Sequence, residues 1–250
     1  MIDTKKLYEL HINEVKIQRT AARGFMQFMC SIIDDIQNVK PVVNYLELGV
    51  SGAGAHSRFS KAGTPNVYGV ERVHPDKIKG IATEENDMHS YNTAMQVINE
   101  CGNITVLFGE SAYAETTPIQ LSELSGIPQY DIVNDDAATD WPRMRHSLAV
   151  WKTSIDPNGA FFTEVPDGMG VESWWAMSRE DHINNYKELA QDGLVVFDLE
   201  CDKIVVPGFE KDWDAHFFGL WMPNWNIGKR TIENYRHAIV AGHENINYGE

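Results

Sequence analysis

A chain of 250 residues with 36 Asp and Glu against 21 Lys and Arg carries a formal net charge of -15. Such a surface repels phosphate backbones and anionic lipid, which argues against a duplex-coating or membrane-surface protein, and neither nucleic acid nor a membrane is expected as a partner. The 43% hydrophobic content is enough for a packed core, so a disordered tail or a collagen-like rod is excluded, and the length suits one large domain.

In chain order, the period from Thr4 to Gln37 is helical. Phe25, Met26, Phe28, Met29, Ile32, Ile33 and Ile36 recur at the three- and four-residue spacing of one apolar face. Lys40-Pro41 ends that stretch, because proline disfavours helix in the residue before it. Short apolar runs follow, separated by polar helical stretches: Val42–Val50, Asn66–Val70, Ile104–Phe108, Tyr130–Val133, Ala160–Val165, Leu194–Leu199 and Phe217–Met222. Strands alternating with helices predict an α/β fold, a doubly wound and mainly parallel seven-stranded sheet of Rossmann-like type. The last two runs are joined by the non-helical DKIVVPGFEKDWDAH, so an antiparallel edge strand is expected there. This gives an N-terminal helical extension over 1–41, one domain over 42–222 and a polar tail over 223–250. The extension would either cover the pocket or make a homo-oligomer interface, and both readings stay open. Cys30, Cys101 and Cys201 lie far apart with no CxxC pair, which suits a reducing cytoplasm. No run of ~18 apolar residues can span a bilayer. The opening MIDTKKLYELHINEVK is charged where an export signal needs an apolar stretch, so a cytoplasmic location is expected.

The sharpest local feature is NYLELGVSGAGAHSRFSKAG followed by NVYGVERVHP. A strand ends at Glu47 and Leu48, Gly49 opens a loop, Gly52 and Gly54 continue it, and a helix starts near Ala55. Glycines serve where the backbone turns tightly and approaches a ligand closely, and the helix N-terminus beyond adds amide N–H groups and partial positive charge. Glu71 ends the next strand at a distance suited to accepting two ribose hydroxyls. A nucleoside-containing ligand is expected. A nicotinamide oxidoreductase would use the same glycines but wants GxGxxG directly after the strand, and it is kept as an alternative.

Glu47, two positions before Gly49, turns the reading elsewhere. The arrangement resembles motif I of the class I S-adenosylmethionine-dependent methyltransferases, an acid followed by GxGxG, and within them the branch of macrocin-type O-methyltransferases and cephalosporin-hydroxylase-like proteins. Ser51 replaces the second glycine, and Gly52 and Gly54 sit one place late. Gly109-Glu110-Ser111, QYDIVNDDAATDW and PNGAFFTEVPDG match later segments in order, so the resemblance spans Val42 to about Met222. It implies S-adenosylmethionine as cofactor, held by Glu47, Gly49, Gly52, Gly54, Glu71, Glu110, Ser111 and Asp135. It also implies transfer of a methyl group to a hydroxyl of a small sugar or polyol-like acceptor, with a subunit that binds the cofactor without catalysis as a further alternative.

Asp135 and Asp136 end the fourth predicted strand and Glu164 the fifth, at the edge where open α/β sheets bind ligands. Oxygen ligands of this kind suit Mg²⁺, and the resemblance implies a divalent metal on Asp135, Asp136 and Glu164. Asp136 and Asp135 are also the expected catalytic carboxylates, with His146 and His182 as alternative bases. The sequence departs from the branch at Thr139, where relatives carry histidine, and at Val165, where they carry a second acid. A nucleic-acid amino-methyltransferase would need proline after the fourth strand, and Asn134-Asp135-Asp136-Ala137 has none. Trp174-Trp175, in the segment DGMGVESWWAMSRED whose glycines permit movement, would form a lid excluding water from the reaction.

Overall fold

A computed structural model of the chain describes residues 1–18, 23–80, 83–137, 141–164, 184, 187–200 and 215–249. The amphipathic N-terminal stretch forms two helices, α1 (Thr4–Gln18) and α2 (Arg23–Gln37). Five strands rich in β-branched and aromatic residues then run parallel: β1 (Asn44–Leu48), β2 (Asn66–Glu71), β3 (Ile104–Phe108), β4 (Tyr130–Asp135) and β5 (Ile155–Glu164). Between them lie α3 (Gly54–Lys61), α4 (Pro75–Ile78), α5 (Glu84–Cys101), α6 (Thr117–Ser125) and α7 (Trp141–Trp151). The chain continues through β6 (Val195–Glu200), β7 (Ala215–Trp221), a short α8 (Lys229–Asn234) and β8 (Ile239–Ala241).

All these strands join one sheet in the order β3-β2-β1-β4-β5-β7-β6-β8. The sheet is Rossmann-like and mostly parallel, but it has eight strands among the described residues rather than the expected seven. The eighth comes from the C-terminal tail, whose three apolar residues Ile239–Ala241 are too short a run to read as a strand. The antiparallel element is also placed differently from the expectation. β7 runs antiparallel to both β5 and β6 and lies between them, so it is interior. The antiparallel edge is β8, paired with β6.

Alternation along the strands loads both faces with apolar residues. On one face Phe162, Phe197, Phe218 and Leu220 pack with Phe25, Phe28, Ile32, Ile33 and Ile36 of α2. The Phe28 ring lies 4.7 Å from Phe197 and 4.9 Å from Phe218, which themselves stack at 5.2 Å. On the other face Leu46, Leu48, Val133 and Phe161 meet Leu121, Leu148 and Trp151. Trp225 and Ile232, beyond the last long strand, are buried with the α2 cluster. The segments at both ends of the chain are therefore part of the central core.

The sheet order turns around at β1 and β4, which are neighbours with Leu48 beside Asp135. Crossovers leave to opposite sides there, so the carboxyl ends of these two strands open a crevice, the usual ligand position in such sheets. No helix among the described residues is long and apolar enough to cross a membrane.

Candidate functional site

The loop after β1 has left-handed backbone at alternate residues: Gly49 at φ 91°, Ser51 at 45° and Ala53 at 60°. These are the three positions a regular GxGxG run would fill with glycine. The chain instead has its second and third glycines at 52 and 54, neither of which has positive φ. The loop thus keeps its path while two side chains sit in a conformation that costs a non-glycine residue roughly 1–2 kcal/mol each. Gly49 is needed for a second reason. A Cβ there would lie 2.8 Å from Ala137 Cα and 2.9 Å from the Asp136 carbonyl oxygen. The turns after β1 and β4 are that close, and Asp136 N–H donates to the Leu48 carbonyl at 2.9 Å.

Glu71, at the end of β2, is buried and reaches back to this loop. Its Oε2 accepts from Val50 N–H at 3.0 Å and Ser51 N–H at 2.8 Å, and Oε1 accepts from Val73 N–H at 3.1 Å. The acid and the glycine loop, 20 residues apart, are one hydrogen-bonded unit. Glu110, beyond β3, lies on the same edge, where Lys77 Nζ donates to it at 3.0 Å and also to the Gly109 carbonyl. Ser111 is exposed, and its carbonyl accepts from Thr117 Oγ1 at 2.7 Å.

Glu47 points to the opposite face from Leu46 and Leu48, under α3. Tyr45 Oη donates to its Oε2 at 3.0 Å, and His56 Nδ1 lies 3.4 Å from the same oxygen. His56 is fully buried, and burial pushes its pKa down to about 4, with Arg58 adding to the shift. The ring is neutral at pH 7, so its contact with Glu47 is not an ion pair. Its Nε2 is 3.0 Å from the Tyr68 carbonyl, which can only accept, so the proton sits on Nε2. Gly69 makes this packing possible, because a Cβ there would meet His56 Nε2 at 2.5 Å.

At the end of β4, Asp135 and Asp136 separate. Asp135 is buried, and its Oδ1 accepts from Tyr113 Oη and from Ala137 N–H, each at 3.2 Å. Asp136 is exposed. Glu164 pairs in the backbone ladder with Phe218, and its side chain lies outside the described residues. Among the described residues no three His, Cys, Asp or Glu side chains group to hold a metal. Asp135, enclosed and already bonded to a phenol and an amide, does not fit the expected Mg²⁺ site.

Other expected participants are spread more widely. His146 is exposed on α7. Trp151 is buried and donates to the Ala112 carbonyl at 2.7 Å, pinning the turn that carries Tyr113. Thr139, Val165, Trp174, Trp175 and His182 lie outside the described residues. Sequence reasoning missed Tyr45, His56, Gly69 and Tyr113. The signal for the first three was present: Tyr45 and Glu47 share a face by strand alternation, and a glycine inside a strand marks a close approach. Tyr113 sits in a turn without a motif.

No protein-family model and no curated protein matches this chain. Solved structures similar to it include a candidate O-methyltransferase from Klebsiella pneumoniae, at 17% identity over 78% of each chain and a TM-score of 0.45. A SAM-dependent methyltransferase from Agrobacterium tumefaciens is similar at 12% identity, over 77% of this chain and 60% of that one, with a TM-score of 0.47. A TehB-like SAM-dependent methyltransferase from Corynebacterium glutamicum shares 13% identity over 77% of this chain and 86% of that one, with a TM-score of 0.39.

Proposed function

We propose that this chain is an S-adenosylmethionine-dependent methyltransferase that methylates a hydroxyl of a small, sugar or polyol-like acceptor. The observation that carries the reading is the union of Glu71 with the glycine loop at the switch point of the sheet. A buried carboxylate at the end of β2 and a tight turn after β1 are what a nucleoside requires, one for its ribose hydroxyls and the other for close backbone approach. Glu47 and Glu71, at the ends of adjacent strands, give this crevice the negative charge that suits a cofactor bearing an ammonium and a sulfonium.

When bound, the cofactor supplies a methyl group on a positively charged sulfur. Glu71 holds the ribose. A carboxylate offers about four acceptor sites, and amides take three on Glu71. Two ribose hydroxyls therefore displace at least one of those amides. Asp136, exposed at the end of β4, receives the acceptor's hydroxyl proton as that oxygen takes the methyl. Asp135, braced by Tyr113 and Ala137 N–H, fixes the turn that presents it. Alignment of acceptor and sulfonium supplies most of the acceleration, since methyl transfer asks little else of side chains.

Isothermal calorimetry tests the reading with S-adenosylhomocysteine, which keeps the adenosine and amino-acid parts. The wild-type chain should bind it, and Glu71→Ala should weaken binding by about tenfold or more, the scale of losing hydrogen bonds to a charged group. Absence of binding, or an unchanged affinity in Glu71→Ala, overturns the proposal. Binding of NADH instead, seen by fluorescence, would make the nicotinamide alternative the better account.

A further inference from the structure

The edge of the sheet opposite the crevice carries a cavity of about 430 Å³. α2 ends there just before β1 begins, and the β5–β7 register sets Trp221 beside Phe161, so the end of β7 and the start of β5 meet at the same edge. Three distant segments form the walls: Asn38 and Val39 after α2, Asn158 near the start of β5, and Asn224, Asn226 and Ile227 after β7. Asp35 and Arg230 complete the lining. Each wall is held by its own bonds. Asn38 and Lys40 N–H close the end of α2 on the Asp34 and Ile36 carbonyls, both at 3.0 Å. Asn158 N–H donates to Asp156 Oδ1 at 2.8 Å, and Lys40 Nζ holds the same carboxyl group through Oδ2 at 2.7 Å. After β7, Asn226 N–H donates to Asn224 Oδ1 at 3.2 Å. A Cβ on Gly228 would lie 2.7 Å from Met222 Sδ, so that turn packs closely on the strand it follows. Arg230 Nη2 and Thr231 N–H both bind the buried Asp35 carboxylate.

Among the described residues, the side-chain amides of Asn38, Asn158 and Asn226 make no hydrogen bond, so each offers a paired donor and acceptor to whatever enters. The Asp35 charge is cancelled by Arg230, which leaves the lining without the net charge that would draw in an ion. Val39 is 60% exposed and, with Ile227, adds an aliphatic patch beside the amides. Neighbouring hydroxyls on a sugar ring donate and accept side by side as a planar amide does, and the ring's C–H face suits such a patch. The volume falls in the range of small-ligand sites.

We propose that this cavity is a second binding site, for a small neutral saccharide. It shares no residue with the crevice and does not depend on the methyl-donor reading. Walls that are already fixed need little ordering when a ligand enters, so the few polar groups present are used at low entropic cost.

Heteronuclear NMR on the full-length, ¹⁵N-labelled chain tests this, with side-chain amide signals assigned from Asn38→Ala, Asn158→Ala and Asn226→Ala. The neutral probes are methyl α-D-glucopyranoside, maltose and trehalose, and acetate and phosphate at equal ionic strength are the anionic comparison. At least one neutral probe should shift the Asn38, Asn158 and Asn226 side-chain signals saturably while leaving the Gly49 and Ser51 amides of the crevice unmoved. Asn158→Ala should weaken that binding by about tenfold, the scale of losing its hydrogen bonds to the ligand. Its melting temperature should match that of the wild-type chain, because the amide it loses has no partner among the described residues. No saturable shift with any neutral probe, shifts with acetate or phosphate alone, shifts confined to the crevice, or an Asn158→Ala chain that binds as tightly as wild type overturns the inference. S-adenosylhomocysteine added to the same sample reports on the crevice, so the two readings fail separately.

Discussion

His56 is an imidazole sealed between α3 and β2, and its protonation is coupled to stability. Burial depresses its pKa from 6.5 to about 4. Between those values the unfolded chain binds a proton that the folded chain refuses, so stability rises with pH across that window. The contribution is fully present above pH 6.5 and lost as pH falls through about 4. A shift of this size corresponds to about 3 kcal/mol. Urea unfolding at pH 7 and again at pH 4 should show the wild-type chain losing about 3 kcal/mol more than His56→Gln does. Equal losses would show that the ring is not the titrating group. Among residues, the acids at strand ends were readable from the sequence, since Glu47, Glu71, Asp135 and Asp136 follow apolar runs. What was hidden is how they differ. Asp135 and Asp136 are neighbours in sequence, yet one is enclosed beneath Tyr113 and the other meets solvent, because successive residues leave a strand on opposite sides.

The loop of residues 49–53 was recognisable from its glycines, but the glycines do not mark where backbone freedom is used. Left-handed geometry falls on Gly49, Ser51 and Ala53, while Gly52 needs none. A Cβ on Gly52 would meet only Thr93 Cγ2 at 3.4 Å and the Cβ beyond it at 3.9 Å. Three substitutions should therefore rank in an order opposite to simple glycine counting. Gly49→Ala should cost about 2–3 kcal/mol or more, from strain and from collision with the turn after β4. Gly52→Ala should be nearly neutral, and Ala53→Gly should raise stability by about 1 kcal/mol. Thermal melts of the three proteins check the order, and a Gly52→Ala loss matching that of Gly49→Ala would contradict it. The seven longer strands were legible because each lies in a short, largely apolar run bounded by polar or turn residues. The place of β7 was not, since pairing partners depend on contacts between distant segments and leave no local pattern.

Over the whole molecule, the first and last segments share one core. Arg230 pairs with Asp35 of α2 at 2.7 Å, and Thr231 N–H donates to the same carboxylate at 3.2 Å. Asn245 Nδ2 donates to the Ala190 and Leu194 carbonyls at 2.7 and 2.9 Å, tying the tail to the segment before β6. Removing residues 224–250 would take away Trp225, Ile232 and β8, opening the core and baring the edge of β6 as a pairing surface. The truncated chain should bind a hydrophobic dye and aggregate on size-exclusion chromatography, and a monomeric, cooperatively melting product would refute this. The tail's polar composition concealed it, because a handful of apolar residues spaced along 28 positions carries no periodicity. The bond between Asp35 and Thr231 spans 196 residues, and this has a consequence for synthesis. At roughly 5–20 residues per second a ribosome needs about 10–40 s to make that interval. Throughout it the phenylalanines of α2 lack the last of their partners, so the apolar surface that this core buries stays partly open to water until the final residues emerge.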